Sequence, residues 1–144
     1  MCRALILVIV LSGSAGAGGR EFVQRVLGPK LGVETYVKLQ DGTVADLFTS
    51  RYVGAVAFPE TWQDAVGRAL NGHCVTGCAP VVVLLKRDCQ SQSERETERL
   101  HLLRCESLCR KLGIACLTEQ YIDPPPEKKP VPAEVPPKRD PRKT

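Results

Sequence analysis

The chain reads as an α/β domain of three layers: a flavodoxin-like parallel sheet of about five strands with helices on both faces, and a disordered proline-rich tail behind it. Three observations lead there. Five apolar runs have strand character, four of them rich in the β-branched residues that suit a pleated surface. Segments with helical period lie between them, and the connections are short. Strict alternation of this kind implies parallel strands with helices packed on both faces. The expected spatial order is 2-1-3-4-5, with the first strand in the middle. Residues 3–122 form the domain and 123–144 the tail.

The first run, Ala4 to Leu11 (ALILVIVL), is unbroken and holds Ile6, Val8, Ile9 and Val10, the composition of a strand buried on both faces. A second reading exists. Arg3, this apolar core and the small residues Ala15-Gly16-Ala17 also form a secretory signal over residues 1–17. The strand reading is preferred, because removing the run would take the middle out of the sheet.

Arg20 to Leu31 carries Phe22, Val23, Val26, Leu27 and Leu31 at i, i+3, i+4 spacing, an amphipathic helix. Gly32 stands where a C-terminal cap belongs, and Gly28-Pro29 ends or bends the helix before it. Val33–Leu39 is the second strand. Asp41-Gly42 signals a turn, and Val44 to Ser50 reads as a helix of two turns at most. Tyr52–Phe58 is the third strand. Pro59 opens a helix over Glu60–Leu70, with Trp62, Val66, Ala69 and Leu70 on one face and Asn71-Gly72 as its stop. Pro80–Leu85 is the fourth strand. Ser93–Leu112 is the longest helix, with Ser93 as N-cap and Glu96 completing a capping box; its apolar face is Leu102, Cys105, Leu108, Cys109 and Leu112. Gly113 stops it, and Ile114–Tyr121 is the fifth and weakest strand. From Asp123 on, eight prolines and no aromatic residue preclude a core and favour an extended, solvated tail.

Composition narrows the function. The net charge of +4 is mild, and with aromatics at 5% the chain gives no sign of nucleic-acid binding. No apolar run reaches the roughly 18 to 20 residues that span a bilayer. The loop after the first run offers the chemistry closest to a ligand site. Gly13, Ser14, Gly16, Gly18 and Arg20 lie between a strand and a helix, where backbone N–H groups attract phosphate. Gly13 and Gly18 have P-loop spacing, but Gly19 and Arg20 stand where the lysine and the hydroxyl residue belong. The alternative is a simple small-residue turn.

Seven cysteines are many for 144 residues. Cys105 and Cys109, four apart on an apolar helix face, read as core packing. Cys74 and Cys78 form a weak candidate metal pair, and no metal or cofactor is assigned. In the secreted reading Cys2 leaves with the signal, and Cys74, Cys78, Cys89, Cys105, Cys109 and Cys116 become candidates for three disulfides. Cys89 follows the fourth strand, where α/β sites lie, without an evident partner base. Each catalytic constellation lacks essential members, so no enzyme is assigned. The expectation is a non-catalytic protein-interaction or adaptor domain in the cytoplasm or nucleus, with a protein as partner. Its alternatives are a nucleotide- or phosphate-ligand binder using the Gly13–Arg20 loop, and a small secreted disulfide-bonded protein.

Overall fold

The computed structural model describes residues 17–124. The Ala4–Leu11 run, with its strand and signal readings, lies outside them, as do Cys2 and the tail beyond Pro124. The described elements run helix, three strands, helix, strand, helix, strand. They are α1 (17–31), β1 (Glu34–Lys38), β2 (Val44–Phe48), β3 (Tyr52–Ala57), α2 (Trp62–Thr76), β4 (Ala79–Lys86), α3 (Gln92–Leu112) and β5 (Ala115–Gln120).

The sheet is mixed, and this corrects the flavodoxin-like expectation. Its order is β1-β2-β3-β4-β5; β1, β2 and β3 form an antiparallel meander, and only β3, β4 and β5 are parallel. The cause is the segment 44–50, expected as a short helix and found as β2. Asp41-Gly42 makes a tight hairpin: the Leu39 N–H reaches the Thr43 carbonyl at 2.7 Å, and Asp41 Oδ1 accepts from the Thr43 backbone N–H and hydroxyl. A chain turned so sharply returns beside β1, and Val44–Phe48 pairs there antiparallel. A second turn follows, with the Thr49 hydroxyl accepting from the Arg51 and Tyr52 N–H groups.

Helices cover both faces unequally. On one face α2 and α3 bury Ala65, Val66, Ala69, Cys105 and Cys109 against Ala55, Ala57, Val82 and Leu84. On the other, α1 packs Phe22, Val23 and Leu27 on Leu47, Val56, Phe58, Val83 and Leu85. Tyr121 closes this cluster edge-on to Phe22 and Phe58, with ring centroids 5.2 and 5.3 Å away. β4 is buried on both sides from Val82 to Leu85, which explains its uniformly aliphatic sequence.

Three helix limits differ from the expected ones. The first helix continues through Gly28-Pro29 as Ala17–Phe22, a π-turn at Val23–Leu27, and Gly28–Leu31. The wider turn gives room to the proline ring, which would strike a carbonyl in an ordinary α-helix; Gly32, at φ 65°, supplies the left-handed cap. The second helix does not stop at Asn71-Gly72 but runs to Thr76, because Gly72 sits where the helix touches the sheet: a Cβ there would lie 2.6 Å from Val53 Cγ2. The capping box of the third helix lies two residues earlier than expected. Ser91 Oγ accepts from the Glu94 N–H, and the Glu94 carboxylate from the Gln90 N–H. Leu112, expected on its buried face, is 48% exposed.

Candidate functional site

Three places gather unusual side chains. The first is a gap in the sheet. β2 and β3 pair only at Leu47–Gly54 and Phe48–Val53, then part. Asp46, buried on β2, takes over the missing ladder contact: its Oδ2 accepts from the Val56 N–H at 2.8 Å. Arg68 of α2 completes the substitute by donating to the Val56 carbonyl at 3.0 Å, to Asp46 and to Asp64 at 2.8 Å. Burial opposes the Arg68 charge, but Asp46 and Asp64 outweigh it and hold the guanidinium pKa above its ordinary value. Beside this pair stands Tyr36, at φ 51° amid β1, a left-handed backbone uncommon for an aromatic residue. Its ring lies under the Arg20 guanidinium, 4.3 Å from the centroid. Burial, then the Asp46 charge, push its phenol up to about 12. Together with Val23, Leu39, Val44 and Val56 these residues line a cavity of about 760 Å³. Two arginines and two carboxylates cancel within it, so it has no net preference for an anion.

The second place is the half of the sheet that α1 leaves open. Leu31 and Val33, at the end of that helix, form one rim. Behind them Leu47, Phe48, Tyr52, Val81 and Leu117 line a groove of about 290 Å³ with no charged side chain. Tyr52 is 50% exposed and Leu117 43%. The period of the strands explains the grouping: Tyr52, Gly54 and Val56 share a face with Val81 and Val83 and with Ala115 and Leu117. α1 covers the far ends of these strands, at Val56, Phe58 and Leu85.

The third place is a cluster of thiols. Cys105 and Cys109 are wholly buried on α3; Gly113, at φ 70°, turns the chain so that β5 brings Cys116 against them. Cys105 Sγ lies 3.8 Å from Cys109 Sγ and 3.9 Å from Cys116 Sγ. A hydrogen bond from Cys105 lowers the Cys116 thiol to about 7, while the same bond and then burial push Cys105 up. Burial also raises Cys109.

The residues singled out from sequence fall as follows. Gly18 and Arg20 lie in α1, which begins at Ala17; Gly13, Ser14 and Gly16 lie outside the described residues. Cys74 is exposed on α2, and Cys78 is half-buried with its Sγ at the Thr49 and Ser50 carbonyls. Burial and then Glu98 raise the Cys89 thiol, the opposite of an activated nucleophile. The His73 ring pairs with the Cys78 carbonyl at 2.7 Å. The six described cysteines are free. Sequence reasoning missed Asp46, Tyr36 and Arg68, which acquire meaning only once β2 exists. It placed Cys105 and Cys109 in the core and missed that Cys116 joins them. It missed the open groove, although alternation along the strands already puts Tyr52 and Leu117 on matching faces. Among the described residues no helix is long and apolar enough to cross a membrane. Comparison with models of known protein families, with curated proteins and with solved structures finds no match to this chain.

Proposed function

We propose that this is a non-catalytic interaction domain, and that it takes its partner on the open half of the sheet. The single observation that carries the reading is the uncharged groove in which Tyr52 and Leu117 stand exposed above the half-buried Leu31 and Val33. Such a surface suits a protein presenting aliphatic or aromatic side chains, with the Tyr52 hydroxyl and Thr49 as the polar edge. The phosphate-ligand reading draws less support: Arg20 is engaged with Tyr36, and the cavity it borders is electrically balanced. Free thiols suit the cytoplasm or nucleus, where they persist reduced.

The test is a pair of substitutions on exposed side chains. Tyr52→Glu and Leu117→Glu each place a charge in the groove without touching the buried core. The partner that co-purifies with the intact protein is expected to be lost from both variants, while Tm stays within a few degrees. Retention of the same partner by both variants overturns the assignment of this face.

A further inference from the structure

We propose that Cys105, Cys109 and Cys116 form a three-thiolate site for a thiophilic d10 metal ion, zinc before others. Their three sulfurs lie within 4.8 Å of one another, the one group of at least three potential ligands so gathered among the described residues. The separations match the geometry a metal demands. Tetrahedral zinc thiolate has bonds of about 2.3 Å, which sets neighbouring sulfurs about 3.8 Å apart. The observed values are 3.8 and 3.9 Å. A disulfide needs sulfurs about 2.05 Å apart and would satisfy two of the three, leaving one thiol over.

Charge points the same way. Cys109 lies in the last turn of α3, where its carbonyl accepts from Gly113 and Ile114. Carbonyls converge there and the helix end is negative, so a cation is favoured and an uncompensated thiolate is not. The Glu106 carboxylate acts on Cys116 in the same sense. An all-sulfur set selects soft ions over magnesium or calcium. Among soft ions, a divalent one leaves a net charge of −1 on three thiolates and a monovalent one −2, and the surroundings are Leu102, Leu108, Ile114 and Ala69. On binding, three S–metal bonds form and three thiol protons pass to the buffer. A tetrahedral ion keeps a fourth position. The gathered set is the three sulfurs alone; His101, one turn before Cys105, lies outside it. Cys116 is only half-buried, so the ion has a way in.

The test uses the reduced full-length protein. Titration with Cd2+ is followed by the ultraviolet band of thiolate-to-cadmium charge transfer, and Zn2+ is then added as competitor. One equivalent is expected to saturate the band, a large excess of Zn2+ to bleach it, and Cys116→Ser to weaken Cd2+ at least tenfold. The double variant Cys74→Ser/Cys78→Ser is expected to titrate like the parent. Absence of the band, or a Cys116→Ser variant that binds Cd2+ as tightly as the parent, overturns the site; so does loss of the band in the Cys74/Cys78 double variant. Should Cys116→Ser fail to fold, alkylation of the parent chain decides instead. Zn2+ is expected to protect Cys116 while Cys74 and Cys89 stay reactive, and an unprotected Cys116 overturns the proposal.

Discussion

At the scale of single residues, Asp46 and Arg68 decide most. A carboxylate and a guanidinium here stand where a strand would be, and each holds one side of the Val56 peptide. Removing either leaves its partner charged and short of contacts in a half-buried site. Asp46→Ala is expected to cost about 3 kcal/mol, at the lower end for breaking a buried pair, and urea denaturation measures it. Tyr36 gives a pH dependence. Its phenol stays neutral in the folded state up to about 12, whereas the unfolded chain loses that proton near 10. The contribution is therefore complete below pH 10 and falls away between 10 and 12 as the unfolded state binds fewer protons. Tyr36→Phe is expected to flatten the loss of stability across that window, read from thermal melts at fixed pH. A melt series as steep as the parent's would show that Tyr36 is not the source of this pH dependence. Cys105 and Cys109 touch the core whether or not they hold a metal. Serine at either is expected to destabilise the metal-free protein by roughly 1–3 kcal/mol, because it buries a hydroxyl among aliphatic side chains.

At the scale of elements, the contacts between them fix what local preference leaves open. Asn71-Gly72 looks like the end of a helix, and a glycine within a helix is ordinarily unfavourable. α2 nevertheless continues for another turn, because Gly72 lets it settle on Val53. Gly72→Ala is expected to lower stability by roughly 1–3 kcal/mol despite the better helix propensity of alanine. Adding Val53→Ala should recover part of that loss, since the two side chains compete for one volume; additive losses in the double variant would contradict the contact. The same logic separates the legible elements from the others. Strands β1, β3, β4 and β5 stood out in their own composition, and so did the cap glycines Gly32 and Gly113. Val44–Phe48 did not, because five residues that include Ala45 and Asp46 carry little periodicity. Its strand character comes from the Asp41-Gly42 turn and the partner it meets. The turn is legible in Asp41-Gly42 itself, whereas its effect on the following segment depends on the strand that segment meets.

At the scale of the whole molecule, the single strand β2 sets the topology. Once 44–50 is a strand, the first half of the sheet becomes a meander, and parallel pairing is confined to β3, β4 and β5. The presence of helices against both faces survived that change, because the amphipathic stripes of 20–31, 62–70 and 102–109 required apolar surfaces to cover. The groove was not legible in the same way. Among the described residues it exists because α1 reaches over only part of the face, a relation among α1, β3, β4 and β5 that no single segment carries. The proposal of a docking face rests on that shortfall: described helices cover one face of the sheet and part of the other, and the groove left beside α1 is uncharged.

The most direct measurement places a photoreactive residue at Leu117 in the full-length protein and cross-links it in its native cell extract, with the same residue at Leu112 on the opposite helix as reference. One distinct protein is expected to be captured from Leu117, absent from Leu112 and lost when Tyr52→Glu is added. Capture confined to residues 4–11 of the same chain, or to a second copy of it, or equal capture from both positions, would contradict the reading of this face as the docking site for another protein.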